Sequence, residues 1–118
     1  MSGHIHTIPS DALEHNGNTE AVTHIIKASP GRLYELSVFN SSASTTLYVQ
    51  LHDRTTAPTA ALKPKGVPKK ILAGATESLA IDGGGVEFST GIVVAASTTG
   101  TTWTDPSTSY ITVSARYK

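Results

Sequence analysis

The sequence predicts an all-β fold, an antiparallel β-sandwich or jelly-roll-like barrel that carries an extended N-terminal arm. Three observations predict it. From Arg32 to Asp53 apolar residues recur at every second position, the period of a strand with one buried face. The same alternation returns in about eight short runs at intervals of roughly 8–12 residues, the spacing of sandwiches and barrels. Almost nothing in the chain carries a helical period, and turn formers stand between the runs.

Residues 1–20 are polar, with Pro9 and the cluster Asn16-Gly17-Asn18, and read as an arm or lead-in. Residues 21–118 then form a single sandwich domain. Its first strand runs near Ala21 to Ala28, where Val22, His24 and Ile26 alternate with Thr23, Ile25 and Lys27. Ser29-Pro30-Gly31 is a turn signal. In the hairpin that follows, Tyr34, Leu36 and Val38 share one face, with Glu35 and Ser37 on the other. The polar stretch from Asn40 to Thr45 leads to Leu47, Val49 and Leu51, alternating with Tyr48, Gln50 and His52.

Residues 54–66, RTTAPTAALKPKG, read as a long loop. A loop of that length is more often functional than a passive link. Val67 to Ala73 is a short strand that Pro68 demotes to an edge position, because proline cannot donate to a ladder. Ala75 to Ile81 is the next strand, with Leu79 and Ile81 inward. Gly83-Gly84-Gly85 permits a sharp reversal. Val86, Phe88 and the run Gly91 to Ala96 form a continuous apolar stretch, expected to be the most buried strand. Residues 97–106, STTGTTWTDP, make a second long tip. Ser109 to Tyr117 closes the fold, with Tyr110, Thr112 and Ser114 opposed to Ile111, Val113 and Ala115.

Composition narrows the function. A chain of 118 residues forms one domain and buries a workable core unaided. It has no cysteine, so disulfides, thiol catalysis and cysteine metal sites are excluded. Nine basic residues balance nine acidic ones, which makes the chain a poor candidate for a general nucleic-acid binder, which needs a basic face, and lowers the barrier to self-association. No apolar run approaches the roughly 18 residues of a membrane helix. The first residues lack the basic region and apolar core of a signal peptide, which predicts a chain kept in the cytoplasm or released on lysis. Ser and Thr make up 30 of the 118 residues. Small hydroxyls solvate a sheet without charge and are cheap to desolvate against another protein.

The chemistry of catalysis is thinly represented. Serine, histidine and aspartate are present, but no nucleophile-elbow sequence is. Asp11, Glu14 and Glu20 are too scattered for a glycosidase pair. The triple glycine lacks the ending of a phosphate loop. His4 and His6 share one face of an extended segment and suit either a shared metal in a three-fold assembly or, more simply, solvent. Asn40-Ser41-Ser42 matches a glycosylation acceptor without any sign of secretion. Lys63, Lys65, Lys69 and Lys70 make the one basic cluster, which suits edge protection or an acidic partner. Trp103 stands alone in a threonine-rich tip, as a lid over one end of the core, a contact hot spot, or a sugar-stacking platform with Tyr110.

The segments GRLYELSVFNSS, TLYVQLHDRTTAP, VEFSTGIVVAASTT and SYITVSARYK resemble small β-sandwich structural proteins of tailed-bacteriophage virions. The resemblance covers most of residues 30–118. Its most specific parts are Phe88-Ser89-Thr90-Gly91-Ile92-Val93 and Tyr48-Val49-Gln50-Leu51-His52-Asp53. It implies a capsid decoration (cement) protein in the virion, assembled in the host cytoplasm. Such a protein bridges capsomers of the major capsid protein as a homo-oligomer, a trimer being favoured. A tail or head-completion component and a carbohydrate-binding adhesive module are the alternatives, and a small hydrolase is the least supported. No enzyme activity, cofactor, metal, nucleic acid or membrane is expected. The expected contact residues are His4, Ile5, His6 and Ile8 on the arm, Lys63 and Lys65 on the long loop, and Trp103 on the second tip.

Overall fold

The computed structural model describes residues 8–16, 19–79, 81 and 84–118, and among these there are nine strands and no helix. The strands are β1 (Leu13–Asn16), β2 (Thr23–Lys27), β3 (Gly31–Asn40), β4 (Leu47–Asp53), β5 (Lys65–Ile71), β6 (Thr76–Leu79), β7 (Val86–Phe88), β8 (Ile92–Ser97) and β9 (Ile111–Tyr117). One sheet has the order β1-β9-β3-β6, with β7 also pairing β3; the other has the order β2-β8-β4-β5. Every pairing is antiparallel. The expected two-layer antiparallel sandwich is the fold.

The core lies between the sheets. Leu33, Leu36, Val38, Ile111, Val113 and Ala115 face inward from the first sheet; Ile26, Leu47, Val49, Ile71, Ile92, Val94 and Ala96 meet them from the second. Apart from the step from Leu33 to Leu36, these are alternate residues along each strand, as the pleat requires. Each large buried side chain removed from water contributes about 1.5–3 kcal/mol.

The structure departs from the sequence reading at four places, each with a physical reason. First, Tyr34 is not part of the core cluster; Leu33 takes that role. Opposite β9, Leu33 pairs with Tyr117 and Glu35 with Arg116, so Tyr34 is the extra residue of a bulge. A bulge lets Leu33 and Leu36, three apart, share a face. Second, the apolar stretch from Val86 to Ala96 is two strands. β7 belongs to the first sheet and β8 to the second, and the chain crosses between layers at Ser89–Gly91. Gly91 makes that crossing possible: a Cβ there would strike the carbonyl oxygens of Arg54 and Lys27.

Third, the lead-in is not all arm. Leu13–Asn16 pairs with β9 in unbroken register, and Lys118 holds Asp11 at 2.7 Å just ahead of it. The strand reads as polar because it is an edge with little inward surface. Fourth, the central strands of the second sheet, β8 and β4, are buried on both faces. Gln50, His52, Val93, Ala95 and Ser97 point away from the core yet are buried. The two long tips cover them, joined through Trp103 N–H to Leu62 O at 2.8 Å and Ala61 N–H to Trp103 O at 3.0 Å.

The flanks of the sandwich differ. On one, a backbone bridge between Ala21, just ahead of β2, and Ile111 of β9 ties the two sheets together. On the other, β5 and β6 end their sheets as free edges. β5 starts at Lys65, two residues inside the expected loop, and Pro68 sits on this edge as expected.

Candidate functional site

The open flank is where the exposed chemistry gathers. Between Val49 and Leu51, β5 pairs through Lys69 and Lys65, so residues 66–68 bulge outward opposite Gln50. Gly66 accepts a φ of 75° there, a conformation costly for residues with a Cβ. The bulge throws Val67 into solvent, 89% exposed. Beneath it opens a cleft of about 510 Å³ floored by Leu51, Leu79, Ile81 and Val86. Lys65 and Lys69 stand at its mouth. Lys69 meets Glu77 of β6 at 3.8 Å. The Lys65 ammonium lies 5.6 Å from the centre of the Phe88 ring, within cation–π range.

Around the corner, a smaller recess of about 240 Å³ is lined by His52, Asp53, Arg54, Leu62, Lys63, Pro64 and Lys65. Lys63 and Lys65 therefore share one surface, as the sequence grouped them. Trp103 joins that region through its backbone bonds to residues 61 and 62. Its indole N–H donates to Ala96 O at 2.9 Å and its ring is half-buried, which is the lid geometry. Ile8 is half-buried ahead of β1, on the opposite flank. His4, Ile5 and His6 lie outside the described residues.

The polar groups near this surface are engaged in scaffolding. Asp53 accepts four hydrogen bonds. Oδ2 takes Ser89 N–H at 3.1 Å and Ser89 Oγ–H at 2.9 Å; Oδ1 takes Thr90 N–H at 2.8 Å and Gly91 N–H at 3.2 Å. Partial burial favours the neutral acid, but the donors from Thr90, Ser89 and Gly91 together outweigh it and hold the carboxyl at about 2. The carboxylate thus fixes the crossing between the sheets.

Next to it, His52 Nε2 and Gln50 Oε1 are 2.9 Å apart, and Gln50 Nε2 donates to the carbonyls of Thr99 at 3.0 Å and Thr102 at 3.1 Å. With its amide nitrogen so placed, Gln50 offers its oxygen to His52, which must then carry its proton on Nε2. Burial, and then the Arg54 charge, lower the affinity of His52 for a second proton. A neutral imidazole held this way organises the tip over the sheet.

On the closed flank, His15 and His24 meet edge to face, ring centres 5.9 Å apart. His24 Nε2 bonds Ile111 O at 2.9 Å. His15 Nε2 is buried with no partner. Burial, then the neighbouring His24, push the His15 pKa down. Among the described residues no three histidine, aspartate or glutamate side chains converge as a metal set would.

No family model, no curated protein and no solved structure matches this chain.

Sequence reasoning put the lysines on a loop and an edge strand, and took Leu79, Ile81 and Val86 as core; Ile81 is in the core cluster, whereas Leu79 and Val86 are only partly covered. The signal available was Pro68 with its flanking lysines, which marks an edge and so an opening beside it. Asn40, matched as a glycosylation acceptor, is fully buried; it bonds Thr45 O, Ile71 O and Ser42 N–H at 2.8, 3.0 and 3.0 Å.

Proposed function

We propose that this chain is a structural protein of a tailed-bacteriophage virion, a decoration protein that stabilises the head by bridging subunits of the major capsid protein. One observation carries the reading. The two segments on which the resemblance is most specific, 48–53 and 88–93, are one unit in space, tied by the Asp53 carboxylate to Ser89, Thr90 and Gly91. The similarity therefore resides in the crossing that builds the sandwich.

The surface supports the same reading. Hydroxyl-rich strands can be covered by another protein without stranding charge. A decoration protein meets many equivalent positions, so modest contacts add up across neighbouring copies. The sequence ahead of β1 contains Ile5 and Ile8 among polar residues, two anchors for a segment laid on the shell. Ordering such a segment costs about 1–2 kcal/mol per residue, so its contacts must run along its length. Lys63, Lys65 and the exposed part of the Trp103 ring supply a second contact area, and a trimer on a three-fold axis is the favoured assembly.

The test is cosedimentation of the purified chain with shells of the encoding phage. Deletion should remove residues 2–8 only, because β1 begins at Leu13 and belongs to the sheet. The full chain should pellet with shells in fixed ratio, and the truncated chain should remain folded but in the supernatant. A full-length chain with no affinity for shells refutes the proposal. The glycan-binding alternative predicts instead that Trp103→Ala abolishes binding to a glycan array.

A further inference from the structure

The edges of β5 and β6 face the open flank without bonding to one another, so each keeps a row of backbone N–H and C=O groups outside its sheet. Between them the cleft is apolar at its base, where Leu51, Leu79 and Val86 are only partly covered. It is cationic at its mouth. Among its described lining residues the ionisable ones are Lys65 and Lys69. Glu77 neutralises Lys69, whereas Lys65 has the Phe88 ring and no carboxylate partner among the described residues.

From this geometry we infer that the cleft binds an extended segment of a partner protein in which apolar side chains alternate with carboxylates. Two sheet edges as walls offer main-chain bonds to a strand, which a helix cannot use. A strand's period of two sends its apolar side chains to the floor and its carboxylates to the lysines. The bulge at 66–68 and Pro68 blunt the β5 edge, so β6 is the edge that accepts the added strand. A second copy of this chain is a poor occupant through β5, because that strand would bring Lys65, Lys69 and Lys70 against their own kind. The inference concerns the isolated chain and stands or falls apart from shell binding.

The probe is a fluorescent eight-residue peptide alternating valine with glutamate, compared with one alternating valine with lysine. Fluorescence polarisation should show the glutamate peptide binding at least tenfold tighter. Added salt and Lys65→Glu should each remove most of that difference. Lys65 is exposed, so the variant keeps the fold, which a thermal melt verifies. In amide NMR spectra the glutamate peptide should shift Val67, Leu79, Ile81 and Val86. Equal affinity for the two peptides, no binding at millimolar concentration, or shifts confined to other strands would overturn the inference. So would concentration-dependent shifts at these same amides without peptide, since the occupant would then be a second copy.

Discussion

Replacing Asp53 with asparagine tests how the two sheets are joined. The wild-type carboxylate accepts four hydrogen bonds, two on each oxygen. Asparagine keeps one accepting oxygen, loses the charge, and turns its amide N–H toward a donor at Ser89 or Thr90. Holding a carboxyl at about 2 instead of its ordinary 3.8 corresponds to about 2.5 kcal/mol of preference for the folded, ionised form. The site is partly open to water, so screening reduces the realised value to about 1–2 kcal/mol. The folded-state pKa lies below the unfolded one. That stability is therefore complete above about pH 4 and disappears as pH falls toward 2. Urea denaturation at pH 7 should show Asp53→Asn less stable by about 1–2 kcal/mol. The wild type should lose that margin between about pH 4 and 2, and the variant should not. A variant within about 0.5 kcal/mol of wild type at pH 7, or an acid limb parallel to it, would refute the argument.

Three further outcomes are expected. Asn40→Ala removes three bonds from a fully buried amide and should cost about 2–3 kcal/mol, read as a lower urea midpoint with unchanged slope. Gly91→Ala presses a methyl group onto two backbone oxygens, and should lower stability by about 1–3 kcal/mol or more, whereas Gly74→Ala, in open space but at a φ of 73°, should lose only the smaller cost of strain, about 1 kcal/mol. Stability should also decline as pH drops below about 6.5, because the unfolded chain takes up protons that His15 and His52 refuse in the fold. Thermal melts from pH 7 to 5 should show a shallower decline for the double variant His15→Gln, His52→Gln.

Period-two alternation made much of the fold legible. Leu36 and Val38, and Ile111, Val113 and Ala115, face the core as the pattern requires. Pro68 marked an edge, and the run at 92–96 is the most buried strand. What the pattern missed depends on partners distant in sequence. The bulge at Tyr34 exists only in register with β9. The break between β7 and β8 depends on Asp53, 36 residues from Ser89. The alternation alone could not say whether the face of Gln50 and His52 meets solvent, because the loops that bury them carry no period. β1 was hidden by its own polarity. The same limits apply to the flank. Its lysines were visible as a cluster, but Leu79 and Val86 carry the same apolar pattern as core residues. Only the gap between two edges leaves them partly uncovered.

The last strand of the nine lies between β1 and β3, in the interior of its sheet. β3 therefore emerges from the ribosome long before the neighbour that completes it, and β1 waits longer still for the strand it must join. The layer that includes both cannot be assembled until residue 117 has been synthesised. Pairings of such sequence separation are slow to form. Until β9 arrives, β3 has β6 and β7 on one side and an unpaired edge on the other, the state in which a half-built sheet is most prone to pair with another chain.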